Sequence, residues 1–204
     1  MQVYKFLARG RRHPFTTVPF PAPGEWVEAG DQCADGPDGV RIATAAHLAH
    51  WVNDELWRVE AEGEIVVESF SSSAARARLV AQVDEWDETT GRAFAAACAW
   101  RARDAVATRL ADADLEPTAA ALRELRRLEE LATTAAQLSA DAAPAWIDPL
   151  GLLVEVGDEA EHRRPFTAAL TAMVAVAGWD EHRQAVEREW QSAWIVDRLG
   201  VRSH

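Results

Sequence analysis

The sequence contains few of the residues on which several protein classes depend. Its 204 residues include two cysteines, one tyrosine and, among 21 basic residues, a single lysine, Lys5. Cys33 and Cys98 lie far apart and do not form the framework of disulfides that stabilises small secreted domains, so we expect buried free thiols. No window approaches the roughly 18 uncharged apolar residues of a membrane span, and no transmembrane helix is predicted.

Recognised catalytic and nucleotide-binding motifs are also missing. The sequence has no G-x-x-x-x-G-K-[ST], G-x-G-x-x-G, G-x-S-x-G or C-x-x-C motif. A net charge of −12 opposes nonspecific attraction to nucleic acids and anionic lipids. The first residues lack the apolar core of a signal peptide, and we therefore expect a cytoplasmic protein. No cofactor, metal, nucleic acid or membrane partner is predicted.

Short strand-like runs separated by Pro and Gly occupy the chain up to residue 80. VYKFL (3–7) is typical of a strand, and the alternation of apolar and charged residues from Trp57 to Glu62 predicts another with one buried face. Gly63 marks a turn, after which we expect EIVVE (64–68) to return as the antiparallel partner of that strand.

Apolar residues recur at helical spacing through the rest of the chain. The sequence therefore predicts an α+β fold. A small mixed α/β module over residues 1–80 is followed by a bundle of about four helices over residues 81–204, packed with it as one rigid body.

The segment from Ala45 to Trp57 contains the nearest approach to a chemical constellation, and its spacing predicts a helix. On that helix His47, His50 and Asp54 share one side, where they could bind a metal or form an acid–base pair. The glutamate of the H-E-x-x-H motif is missing, so an ordinary polar face is the preferred interpretation. The apolar residues fall opposite: Leu48, Val52 and Leu56.

Basic residues provide the other candidates for ligand binding. A cluster after the first strand (Arg9, Arg11, Arg12 and His13) could bind a phosphate or a carboxylate, although a solvated turn is the preferred interpretation. The candidate pocket residues are Arg9, Arg41, His47, His50 and Asp54.

Nine tryptophans are present, and two of them define a candidate partner surface. Trp190 and Trp194 lie four residues apart on the last predicted helix and form one ridge. This ridge is either a seam within the bundle, which we favour, or an exposed docking surface.

Several segments resemble an uncharacterised bacterial and phage domain family. They are VYKFL, GEWVEA, the Cys-x-x-Gly turn from Cys33 to Gly36 and DELWRVEAEGEI, and the tail REWQSAWIVDRLG resembles the long helical members. The family pattern places Gly-Ile/Phe-His-Ala-Cys where this chain has Gly39-Val40-Arg41-Ile42-Ala43. If the activity of the family depends on that histidine and cysteine, this member has lost it, and the resemblance supplies no established function.

The order of elements is also similar to that of ADP-ribosyltransferase-like folds, at the level of fold analogy alone. In those folds a Gly-Ile-Tyr-Phe-Ala strand precedes a helix, and a later glutamate acts on NAD. Here the tyrosines that grip nicotinamide are missing, since Tyr4 is the single tyrosine, and Glu64 or Glu68 would have to supply the acid.

These observations favour a noncatalytic protein that acts by binding a partner or a ligand. The alternative is an enzyme that acts on a small molecule or nucleotide in a cleft between module and bundle. Self-association as a homodimer through the C-terminal helix is a third hypothesis.

Overall fold

The computed structural model describes residues 2–14, 16, 18–34, 39–141, 147–161 and 164–201. The chain forms two compact units. Met1–Thr90 together with Ser192–His204 make up the first, here the strand-rich unit, and Gly91–Gln191 make up the second, the helical unit. Gly36, the last residue of the Cys-x-x-Gly turn, lies outside the described residues.

Two antiparallel sheets form the frame of the strand-rich unit. The larger has the strand order β1-β4-β7-β2 and the smaller the order β3-β6-β5. The strands are β1 (Val3–Leu7), β2 (Val27–Glu28), β3 (Val40–Ile42), β4 (Glu55–Glu62), β5 (Val66–Val67), β6 (Ser72–Ala74) and β7 (Arg76–Gln82).

The apolar core of this unit contains residues from both sheets. Val3 and Leu7 of β1, Val59 of β4 and Leu79 of β7 are all buried in it. Val59 pairs with Val3 on one side and with Leu79 on the other, so these side chains lie next to each other across three strands. Because side chains alternate along a strand, Lys5 lies on the same face as Val3 and Leu7.

The helix predicted from Ala45 to Trp57 is wrong in its length. A short 3₁₀ helix occupies Ala45–His50, and β4 begins at Glu55. Asn53 ends the helical path, since its side-chain oxygen accepts the backbone N–H of Asp54 and so offers that N–H an alternative to a helical hydrogen bond. The burial predicted from the same pattern is confirmed for its three apolar residues: Leu48, Val52 and Leu56.

The predicted pairing of EIVVE is also wrong. Val66–Val67 form β5, which pairs with β6 in the smaller sheet. The strand Glu55–Glu62 could not accept this partner, because β1 and β7 already occupy its two edges.

Six α-helices follow the last strand in the described part of the chain, more than the approximately four expected. Most of their residues belong to the helical unit, whereas Ser192–Leu199 at the end of the last helix belong to the strand-rich unit. The helices are α1 (Glu88–Asp112), α2 (Glu116–Glu124), α3 (Glu129–Asp141), α4 (Ile147–Glu161), α5 (Pro165–Ala177) and α6 (Glu181–Leu199).

Small, branched and aromatic apolar side chains fill the helical unit. Phe94, Leu110, Leu122 and Leu153 are completely buried. Gly157 of α4 allows close approach to α3, since a Cβ atom there would lie 3.1 Å from the backbone nitrogen of Ala132. The strands followed by helices confirm the α+β class. Among the described residues, no helix is long and apolar enough to cross a membrane.

Candidate functional site

A small pocket in the strand-rich unit brings basic and aromatic side chains together. It contains about 310 Å³ of space, part of it open to solvent. The residues that line it come from β1, the turn after it, β3 and the end of the 3₁₀ helix: Lys5, Phe6, His13, Pro14, Arg41, Ile42, Ala43 and Trp51.

Lys5 is the most unusual of these residues, because it is a cation in the middle of an apolar strand. Only 6% of its surface is exposed. Its Nζ atom donates a hydrogen bond to the carbonyl oxygen of Arg41 at 2.7 Å and lies 5.4 Å from the centre of the Phe20 ring. Placing an ammonium group in a core costs several kcal/mol, and these two contacts offset part of that cost.

His13 places an imidazole in the same pocket. The ring is 4% exposed, and its Nδ1 atom accepts the backbone N–H of Thr16 at 3.0 Å. A nitrogen that accepts a hydrogen bond carries no proton, so the neutral ring carries its proton on Nε2.

Arg41 and Trp51 both bind the segment from Glu68 to Ser71. The Nη1 atom of Arg41 lies 3.3 Å from Glu68 Oε2 and donates to Ser71 Oγ at 2.8 Å. The indole Nε1 of Trp51 donates to the carbonyl oxygen of Phe70 at 2.8 Å. These contacts fix the orientation of two pocket side chains.

Arg9 and Asp54, two of the predicted pocket residues, meet in a turn instead. The backbone N–H of Arg9 donates to Asp54 Oδ2 at 2.9 Å. The next residue, Gly10, has a positive φ of 77° and donates its N–H to Glu55 Oε1 at 2.7 Å. The carboxylate of Asp54 therefore stabilises the turn after β1, and neither Arg9 nor Asp54 lines the pocket.

His47 and His50 lie together on the 3₁₀ helix, with ring centres 6.1 Å apart. Burial lowers the pKa of His47, and its Nδ1 atom is buried without a hydrogen-bond partner. His50 packs against Phe70 at 5.3 Å. Neither histidine is among the residues that line the pocket, and no group of three His, Cys, Asp or Glu suited to a metal occurs within the described residues.

The predicted ridge of Trp190 and Trp194 is partly buried. Within the helical unit, the guanidinium of Arg101 stacks over the Trp190 ring at 4.4 Å. Trp179, in the turn between α5 and α6, is by contrast 86% exposed.

A second polar cluster lies in the helical unit, and its side chains contact one another. Glu187 is fully buried and accepts from Arg101 Nε at 2.5 Å. Gln191 donates to Glu187 and to the carbonyl oxygen of Ala169, and it accepts from Arg188 at 2.9 Å. Burial raises the pKa of Glu187 despite the neighbouring Arg101, and it raises the pKa of the Cys98 thiol.

Of the five predicted pocket residues, Arg41 alone lines the pocket, and it does so with Lys5 and His13. His13 appeared in the basic cluster after β1, where a solvated turn was preferred. Lys5 was missed, although it is the single lysine and stands in an apolar strand. The sequence feature that could have identified Lys5 is its position on the same strand face as Val3 and Leu7.

Comparison of the chain with protein-family models, with curated proteins and with solved structures gives no match. The resemblance to an uncharacterised bacterial and phage family therefore stays a prediction, and the pocket has to be interpreted from its own chemistry.

Proposed function

We propose that this protein is a noncatalytic binding protein that holds a small molecule in the pocket lined by Lys5, Arg41 and Trp51. One observation supports this proposal above the others. Three basic side chains from separate segments line one small space with apolar walls, and few polar groups among apolar side chains are the usual composition of a ligand site.

The buried lysine gives the proposal its energetic argument. A protein that needed only a stable core at position 5 would use an apolar residue, because an ammonium group there costs stability. Proteins accept such costs at sites where a side chain must bind something. Arg41 and Trp51 are held in place by hydrogen bonds to the 68–71 segment, and preorganised side chains reduce the entropy lost when a ligand binds.

Binding without catalysis is favoured over the enzyme hypothesis by the chemistry of the lining. No serine, cysteine, aspartate or glutamate lies among the described residues that line the pocket. Neither a serine or cysteine nucleophile nor a pair of carboxylates is therefore assembled by those residues.

The cytoplasmic location and a homodimer through α6 remain proposals beside this one.

The test uses the full ¹⁵N-labelled chain and a library of small metabolites. We expect binding compounds to shift the amide signals of Phe6, Arg41 and Ile42 and the indole signal of Trp51. The bound compound should be recovered unchanged after long incubation. Conversion of the compound would contradict the noncatalytic part, and shifts confined to the helical unit would contradict the site.

A further inference from the structure

We infer that the ligand of this pocket is a small planar aromatic carboxylate, with its carboxylate towards Arg41 and Lys5 and its ring against Trp51. This inference rests on the proposed function and adds the chemical class of the ligand.

The charge of the lining favours an anion. Lys5 and Arg41 are cations, and none of the described lining residues is acidic. Hydrogen bonds between an ammonium or guanidinium group and a carboxylate are about twice as strong as those between neutral groups. A neutral or cationic ligand could not form these stronger hydrogen bonds with Lys5 and Arg41.

Arg41 already binds one carboxylate, that of Glu68. Glu68 Oε2 lies 3.3 Å from Arg41 Nη1, and the side chains of these two residues are 52% and 40% exposed. Ion pairs with that exposure contribute little to stability. The carboxylate of a ligand can therefore replace Glu68 on Arg41 at low cost, which makes Glu68 an internal competitor for the ligand.

The shape of the lining favours a flat ring. Phe6, Pro14, Ile42 and Ala43 supply apolar surface, and Trp51 supplies an indole whose Nε1 is fixed by the Phe70 carbonyl. Aromatic rings gain energy from stacking on an indole beyond the area that they bury. The pocket is small and partly open to solvent.

Benzoate is the probe, and isothermal titration calorimetry with the full chain measures its affinity. Benzamide lacks the charge, cyclohexanecarboxylate lacks the planar ring, and acetate lacks any ring. We expect benzoate to bind about tenfold more tightly than each of these three compounds, as the loss of one charged hydrogen bond or one stacking contact would give. Phenyl phosphate tests the acidic group, and tighter binding of it than of benzoate would overturn the assignment of a carboxylate.

Variants of partly or fully exposed side chains test the assigned contacts. We expect Arg41→Ala and Trp51→Leu each to weaken benzoate binding about tenfold. Glu68→Gln should strengthen it a few-fold, because the competitor loses its charge. The matched control is Glu62→Gln, since Glu62 accepts from Arg76 at 2.8 Å and is similarly exposed.

A second control matches Trp51. The ring of Trp26 lies 4.6 Å from the guanidinium groups of Arg76 and Arg78, and it does not line the pocket. Trp26→Leu should leave benzoate binding unchanged.

The failures of the two proposals are distinguishable. Equal affinities for benzoate and benzamide, or equal effects of Glu68→Gln and Glu62→Gln, overturn the aromatic carboxylate and leave small-molecule binding in place. If no compound of the metabolite library shifts the signals of Arg41 and Trp51, the proposed function fails and the inference fails with it.

Discussion

The two units bury charged side chains in different ways. In the helical unit the buried Glu187 contacts Arg101 and Gln191, and Gln191 in turn contacts Arg188. In the strand-rich unit Lys5 and His13 are also buried, and both line a pocket. Polar groups that contact one another inside a core stabilise a particular packing, whereas polar groups that also line a pocket can contact a ligand there. We therefore assign a structural role to the first set and binding to the second.

The largest effect that we expect concerns the ion pair of the helical unit. Arg101→Ala leaves the fully buried Glu187 without its guanidinium partner. Removing one member of a buried pair is costly, and since Arg101 is itself 35% exposed we expect a loss of about 3 kcal/mol in the free energy of unfolding. Urea denaturation measures this loss. Arg127→Ala, which removes an exposed partner of Glu129, serves as the control and should cause no measurable change. A small effect of Arg101→Ala would contradict the structural role that we assign to the pair of Arg101 and Glu187.

A smaller effect is expected at Trp190, which stacks under Arg101. Trp190→Leu removes the cation–π contact and part of the buried surface, and it should cost about 1–2 kcal/mol of unfolding free energy. Trp179→Leu is the matched control, because Trp179 is 86% exposed. Equal melting temperatures for these two variants would show that the stack with Arg101 contributes nothing.

The pH dependence of stability tests the burial of Glu187. Burial raises the pKa of this carboxyl above its ordinary value of 4.5, so the folded protein holds the proton more tightly than the unfolded chain. Glu187 therefore contributes most to the free energy of unfolding in acid. This contribution is lost as pH rises from 4.5 to the raised pKa. Glu187→Gln lacks this loss, and we expect it to gain stability over the native protein as pH rises in that window. Denaturation at a series of pH values measures the difference in the free energy of unfolding. If the native protein instead gains stability over Glu187→Gln as pH rises, attraction by Arg101 outweighs burial.

The smallest effect concerns His47 of the strand-rich unit, and it has the opposite sign to that of Glu187. Burial lowers the pKa of His47 below 6.5, so the unfolded chain binds the proton more tightly. The contribution of His47 to the free energy of unfolding is present above pH 6.5. It is lost as pH falls from 6.5 towards the lowered pKa. His47→Gln should show a flatter stability profile there, while His182→Gln, on the exposed start of α6, should follow the native profile. Parallel profiles for His47→Gln and the native protein would contradict the burial of this ring.

The sequence predicted the parts of the fold that depend on local patterns. Alternation from Trp57 to Glu62 identified β4, whose first residue is Glu55, and apolar spacing identified the burial of Leu48 and Val52. The partner of β5 depends on which strand edges are free, and nothing local to Val66–Val67 contains that information. The helix after Ala45 was overextended because the periodicity of the apolar residues outweighed the turn-forming Asn53 in our prediction.

Of the five residues predicted to line a pocket, only Arg41 does so. Arg9 and Asp54 were placed in one site because of their charge, and they do meet, although in a turn that their contact stabilises. Lys5 and His13 lie eight positions apart in the chain, and no sequence spacing joins them to Arg41. The bridge between Tyr4 and Ala43, which joins β1 to the end of β3, brings the carbonyl of Arg41 to 2.7 Å from the Lys5 ammonium.

The indole N–H signals of Trp51 and Trp190 provide the most direct test of the difference between the units. Trp51 lines the pocket in the strand-rich unit, and Trp190 stacks on Arg101 in the helical unit. When benzoate is titrated into the ¹⁵N-labelled protein, we expect the Trp51 indole signal to shift to saturation while the Trp190 signal stays in place. A shift of Trp190 without a shift of Trp51, or saturation of neither signal, would contradict the assignment of ligand binding to the pocket that contains Lys5.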